Sequence, residues 1–288
     1  MIKKILLIGA ESKIGKSLYV FLSKKNFSVL GTSRKKRPNL IYLNLNWKLN
    51  KWPHIPQCDV IICCAAITKL NDCKRKKDLS KRTNIIGLKK IIKKYKKNKN
   101  TQIIFFSSTH VFDGKKNFSK KNDKRIPQND YGKLKKISED FILNNIGLVV
   151  RVSKVVEGLE EIITKWIKIL KNGKKIYPFE NFNTSLVSMQ NILDLVLFLI
   201  NNDKRGIVHL SGLNEISYYQ IASILVKKLN FSKSLITPQK VSDNLIFKLG
   251  KHSTLHMSNK IKKNLSIKNS EKTLEVFLKK YLSNNFLK

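Results

Sequence analysis

Near its start the chain carries an apolar run, Ile5-Leu-Leu-Ile8, that stops at Gly9, with a second glycine at Gly15. Residues 2–8 alternate little, as a strand buried on both faces should. Gly9 ends that strand, and a helix is expected from about Gly15 to Lys25. The pattern then repeats. Phe27–Gly31, Leu40–Leu43 and Asp59–Cys64 read as strands, and 84–96 as a helix with Ile85, Leu88, Ile91, Ile92 and Tyr95 on one stripe. Gln102–Ser107 is a strand, 131–145 a helix and Leu148–Val152 a strand. This alternation predicts an α/β fold with a doubly wound parallel sheet.

The second half is less regular. Helices are expected at 159–172, 189–201, 217–229 and 271–283, with a late strand at Gly206–Leu210. We therefore expect a nucleotide-binding domain over 1–153 and a smaller, interleaved C-terminal lobe over 154–288, with about 186–212 returning to the main sheet.

The 288 residues carry 58 Lys+Arg against 19 Asp+Glu, a net charge of +39. The lysines are spread through all segments, including 89–99, 115–124 and 259–263. That scatter, with no nucleic-acid motif, argues against nucleic acid as the partner and for anionic small molecules drawn to a cleft. No apolar run reaches the ~18 residues of a membrane span, and the N-terminal apolar run is too short for a signal peptide. Cys58, Cys63, Cys64 and Cys73 form no Cys-x-x-Cys pair. Reduced thiols in a cytoplasmic protein are expected.

In Gly9-Ala-Glu-Ser-Lys-Ile-Gly15 the glycines allow a tight turn and close approach of backbone to phosphate, with a helix N-terminus facing the anion. Ser12 stands where a third glycine would sit. The same stretch is one residue type from a Gly-x-x-x-x-Gly-Lys-Ser phosphate loop, but Ala10 replaces the first glycine and no acidic magnesium ligand ends a later strand. No Asp or Glu occurs between Glu11 and Asp59, where an acid would bind a ribose 2′-hydroxyl. Instead there is Ser33-Arg34, and Arg34 can pair with a 2′-phosphate. NADPH is thus the expected cofactor, with NADH as the alternative.

Tyr131 and Lys135 lie four residues apart, on one face of the expected helix. An ammonium beside a phenol favours the phenolate and eases loss of the proton. Ser108 ends a parallel strand at the edge where ligands sit, placed to hold a carbonyl.

Gly9…Gly15, Ser107-Ser-Thr-His-Val-Phe-Asp-Gly114, Pro127-x-Asn129-x-Tyr131-Gly132-x-x-Lys135, Glu139 and Leu148-Val-Val-Arg151 resemble the extended short-chain dehydrogenases/reductases. Within them the chain is similar to the dTDP-4-dehydrorhamnose reductases and their sugar-nucleotide-binding relatives. The tail strings Gly206–Gly212, Ser217–Ala222 and His252–Lys260 extend the resemblance nearly end to end. It implies a Rossmann-type domain and reduction of a keto group on a nucleotide sugar. Ser108, Tyr131 and Lys135 fall on the catalytic positions, and Lys135 would also hold the nicotinamide ribose. Gly9, Ser12, Lys13, Ile14 and Gly15 fall on the diphosphate turn, Ser33 and Arg34 on the adenosine ribose, and Cys64, Ala65 and Ala66 beside the cofactor. Thr109, His110 and Arg151 are expected to face substrate, and Asn84 to start a helix. No metal is expected; a homodimer is compatible with the resemblance. The acidic pair of a 4,6-dehydratase is absent near Thr109. A nucleotide-sugar epimerase and a non-catalytic NADP-binding regulatory subunit are the competing readings.

Overall fold

The computed structural model describes residues 2–96 and 100–286. The end of the basic run 89–99 lies outside them. In chain order the elements are β1 Lys4–Ile8, α1 Lys13–Ser23, β2 Ser28–Ser33, β3 Ile41–Tyr42, β4 Val60–Cys63, α2 Leu70–Arg75, α3 Lys77–Lys81, a π-helical stretch Arg82–Gly87, and α4 Leu88–Tyr95. Then come β5 Gln102–Ser108, α5 Asp130–Asn144, β6 Leu148–Val152, β7 Lys154–Val155, α6 Glu160–Lys171, β8 Asn183–Thr184, β9 Leu186–Val187, α7 Met189–Asn201 and β10 Gly206–Leu210. The chain closes with β11 Ile216–Ser217, α8 Tyr218–Lys228, α9 Asp243–Leu249, α10 Asn259–Asn264 and α11 Ser270–Asn285.

Seven strands form one parallel sheet in the order β10-β6-β5-β4-β1-β2-β3. Its centre is apolar on both faces: Ile5, Leu6, Leu7, Ile61, Ile62, Ile103 and Ile104 have no exposed surface. Each such side chain stabilises the fold by about 1.5–3 kcal/mol relative to an exposed one. The register pairs Ile8 with Cys63 and Cys63 with Phe105. The carboxyl ends of β1, β4 and β5 therefore share one edge of the sheet. Helix α4 shows how a lysine-rich segment packs here: Leu88, Ile91, Ile92 and Tyr95 are buried, while the lysines between them cover the outer face.

The chain divides into two compact units, one of 1–111, 129–151 and 193–208, the other of 112–128, 152–192 and 209–288. Residues 193–208, inside the stretch expected at about 186–212 to return to the sheet, lie in the first unit. Residues 112–128 belong to the second unit, where Ser119 pairs with Leu255. In the first unit Gln102 Nε2 donates to the Leu199 carbonyl at 2.9 Å, tying the end of α7 to the sheet. The second unit has its own core, with Ile163 and Ile167 of α6, Leu225 of α8, and Leu274 and Leu278 of α11 fully buried. Two short ribbons accompany it, β7 with β9 in parallel and β8 with β11 in antiparallel register. No helix among the described residues is long and apolar enough to cross a membrane.

Candidate active site

The glycine turn is built tightly. Gly9 has φ +85°, and a Cβ there would come within 2.7 Å of Ala65. On Gly15 a Cβ would sit 2.1 Å from the Gly9 carbonyl oxygen, so only glycine lets α1 start against the turn. Ser12 is the N-cap of α1, and its hydroxyl accepts from the Gly15 backbone N–H at 3.1 Å. The departure from a third glycine is thus a helix cap.

Above this turn lies a cavity of about 460 Å³, lined among others by Gly9, Glu11, Ser12, Thr32, Ser33, Arg34, Asn44, Ala65, Ala66, Ile67 and Thr68. Backbone unobstructed by any Cβ, a helix N-terminus and a strand-end basic residue at one hollow fit the diphosphate and ribose of a dinucleotide. Of the expected cofactor residues, Gly9, Ser12, Ser33, Arg34, Ala65 and Ala66 line the cavity. Lys13 is exposed and Ile14 half-buried at the start of α1, and neither they nor Gly15 and Cys64 are part of its wall. The Cys64 backbone N–H donates to the Ile8 carbonyl at 2.9 Å. Its thiol is pushed above the usual cysteine range by burial and by neighbouring Cys63.

Sequence reasoning missed Glu11, Asn44 and the wall formed by Ile67 and Thr68. Asn84 holds that wall. Its amide accepts from the Ile67 N–H at 2.8 Å and donates to the Ile67 carbonyl at 2.9 Å. Asn84 sits in the π-helical stretch and its own carbonyl accepts from Ser138 at 3.0 Å. It is a clamp on the chain after β4.

One strand over, β5 delivers Ser108 to the same sheet edge. Helix α5 begins beside it, capped by Asn129, whose side chain accepts from the Gly132 N–H at 2.9 Å. That cap places Tyr131 in the first turn and Lys135 one turn on. Burial holds the Tyr131 phenol above its usual value near 10, and the neighbouring Ser108 hydroxyl offsets only part of that rise. Lys135 Nζ donates to the Phe106 carbonyl at 2.6 Å. It stands over the rings of Phe105 and Tyr131, at 4.5 and 5.7 Å from their centroids. Burial lowers the Lys135 pKa to about 8, against the pull of Cys64 and Glu139. The expectation of a phenol acidified by its ammonium neighbour is therefore corrected for the protein by itself: desolvation wins at both groups.

Thr109 opens a 3₁₀ turn, and His110 packs its ring edge-on to Tyr131 at 5.8 Å between centroids. His110 Nδ1 lies 3.2 Å from Asn129 Nδ2. An amide nitrogen there can only donate, so Nδ1 accepts and the neutral ring carries its proton on Nε2.

Arg151 is not a substrate contact. Its guanidinium is 1% exposed and makes a bidentate pair with Glu139, at 3.0 Å from Nε and 2.8 Å from Nη2. A guanidinium so buried cannot reach a diphosphate without abandoning its carboxylate.

A glycine-turn cavity beside a Ser, Tyr and Lys cluster at the carboxyl edge of a doubly wound sheet is the architecture of a dinucleotide-binding protein. The family profile described as RmlD substrate binding domain matches residues 3–283, and the chain belongs to that family. It is similar to methionine adenosyltransferase 2 subunit beta of Rattus norvegicus, 25% identical over 251 residues, covering 82% of this chain and 75% of the relative. It also resembles the spore coat polysaccharide biosynthesis protein SpsK of Bacillus subtilis strain 168, 21% identical over 81% of this chain and 82% of SpsK. In fold it matches the dTDP-4-dehydrorhamnose reductase of Bacillus anthracis in complex with NADP. The TM-score is 0.76 at 19% identity, over 97% of this chain and 99% of that one.

Proposed function

We propose that the protein is an NADPH-dependent oxidoreductase that reduces the keto group of a nucleotide-activated sugar. The observation that carries this reading is the cluster of Ser108, Tyr131 and Lys135 one strand from the glycine-turn cavity. When bound, the nicotinamide cofactor supplies hydride. Gly9 and Ser12, the N-cap of α1, would hold its diphosphate, and Arg34 would meet a 2′-phosphate. Ser108 orients the substrate carbonyl. Tyr131, kept protonated by burial, gives its proton to the emerging alkoxide. Lys135 stands over the Tyr131 ring and would face the nicotinamide ribose.

Support for the cofactor comes from the structural likeness to a reductase solved with NADP, and for the substrate class from the family and the likeness to SpsK. The likeness to methionine adenosyltransferase 2 subunit beta favours a second reading, a regulatory subunit that binds the cofactor without turnover.

The deciding experiment incubates the protein with NADPH and a dTDP-4-keto sugar. Stoichiometric oxidation of NADPH is expected. An epimerase leaves NADPH unconsumed, and a regulatory subunit binds it without consuming it. Tyr131→Phe should lower kcat by roughly 10²–10⁴ with cofactor affinity little changed. Full turnover in that variant overturns the mechanism.

A further inference from the structure

The corner of the cavity where β2 ends holds an arrangement that the reading above does not use. Glu11 leaves the glycine turn and reaches across to β2. One carboxylate oxygen accepts from Arg37 Nε at 2.7 Å, and the other accepts from the Ser33 hydroxyl. The Ser33 oxygen in turn accepts from the Lys35 backbone N–H at 3.0 Å. Glu11, Ser33, Arg34 and Lys35 all line the cavity.

The end of the second strand is where a dinucleotide site presents an acid to a ribose 2′-hydroxyl, or a cation to a 2′-phosphate. In sequence this chain has only cations there. In space it has both, because the fold brings a carboxylate to the strand end from the other side of the turn. Arg37 is occupied by that carboxylate, while Arg34 remains at the cavity wall. The Glu11 side chain is about one-third exposed, and each oxygen keeps a lone pair for a further donor. The hydrogen bonds from Arg37 and Ser33 hold its pKa below the ordinary glutamate value, so it is charged at neutral pH.

We infer that Glu11 is a cofactor-discriminating residue: its carboxylate accepts the ribose 2′-hydroxyl of NADH and opposes a 2′-phosphate. It thereby narrows the preference for NADPH that Arg34 sets. This inference rests on the reading of the cavity as a dinucleotide site. Removing the charge works in one direction through two routes. The repulsion of a 2′-phosphate disappears, and Arg37 is released to approach it.

The test is calorimetric and needs no turnover. Adenosine 2′,5′-bisphosphate and AMP are titrated into the full chain and into its Glu11→Gln variant. These probes differ only at the ribose 2′ position. In Glu11→Gln the affinity ratio of bisphosphate to AMP should rise about tenfold, the scale of one like-charge contact at a water-exposed site. NADPH and NADH should show the same shift. Arg34→Ala should move the ratio the other way. A ratio within twofold of the parent in Glu11→Gln, with both nucleotides bound, overturns the inference and leaves the cofactor site standing. If the parent chain binds neither nucleotide, the dinucleotide reading fails and the inference with it. Glu11 is exposed at the surface, so the variant should fold, and an unchanged Tm checks this.

Discussion

Lys135 spends its strongest hydrogen bond on the main chain: Nζ donates to the Phe106 carbonyl at 2.6 Å. The ammonium is thereby fixed over the aromatic rings of Phe105 and Tyr131, away from bulk water. Burial brings its pKa down to about 8, which places its loss of charge inside the range where an enzyme can be assayed. If the charged form is needed to position the nicotinamide ribose and Tyr131, kcat/KM for NADPH should fall as pH rises through about 8. Tyr131 cannot be the source of that limb, because burial holds its pKa higher still. Lys135→Arg keeps its charge across the range, so the falling limb should vanish, although the rate at pH 7 drops for want of room. A wild-type profile flat to pH 9 would show that the charge is not required.

The same group ties stability to pH. The folded state favours the neutral amine, with a pKa of about 8 against 10.5 for a free lysine, a difference of roughly 3 kcal/mol. Between those values the unfolded chain binds more protons than the folded one, so stability rises with pH across that window. Below pH 8 the full penalty of the buried charge is present. Other lysines also titrate near 10, so the informative quantity is a difference. Lys135→Met should gain less stability than the parent between pH 8 and 10 in urea melts. Parallel curves for the two proteins would show that Lys135 carries no such penalty.

Among the described residues Glu139 and Arg151 form a fully buried ion pair, at 0% and 1% side-chain exposure. Glu139→Gln leaves a guanidinium without its counter-charge in the interior, and should cost about 3–5 kcal/mol in denaturant unfolding. Replacing both partners, as in Glu139→Leu with Arg151→Met, removes the stranded charge and should recover most of the loss. If Glu139→Gln unfolds the chain outright, the double replacement still reports on the pair. A double variant no better than the single one would mean that the pair is not what the interior requires.

Much of this was legible in the chain itself. β6, α7 and β10 stand at the residues where the apolar pattern put them, because continuous apolar strands and an apolar-striped helix have few other ways to bury their surface. The helix expected over 84–96 instead begins with a π-helical stretch at Arg82–Gly87. No spacing rule announces a π-turn. Helices α2 and α3 went unseen because 69–82 is mostly lysine, arginine and polar residues, with too few apolar positions to show a period. The two-residue strands β7, β8, β9 and β11 are shorter than the repeat that would reveal them. At the site, the four-residue spacing puts Tyr131 and Lys135 on one helix, and the end of β5 carries Ser108, as the pattern led one to expect. Arg151 was misassigned, although Glu139 sits four residues past Lys135 on the same helical face. A face that buries Lys135 buries Glu139 too, and a buried carboxylate calls for a cation. Glu11 was invisible for a different reason: its partners Ser33 and Arg37 lie more than twenty residues on, and only the closed turn brings them together.

Asn84 offers the last test, because its role separates cofactor grip from chemistry. Its amide bonds both the N–H and the carbonyl of Ile67, a residue of the cavity wall. Asn84 is 5% exposed, and Asn84→Ala would strip the Ile67 N–H of its partner and leave the Ile67 carbonyl only the Cys73 thiol, at 3.4 Å. An unsatisfied backbone group costs about 1–3 kcal/mol. The chain after β4 should loosen, and with it the wall that faces the dinucleotide. Asn84→Ala should therefore raise Kd for NADPH severalfold, while kcat at saturating cofactor changes little, since Ser108, Tyr131 and Lys135 keep their own anchors. Asn84→Asp should be the worse variant, because an ionised carboxylate accepts from the Ile67 N–H but has nothing to give the Ile67 carbonyl. The measurement is cofactor titration beside saturating kinetics. A loss confined to kcat would place Asn84 among the groups that act on substrate, and would remove it from the wall.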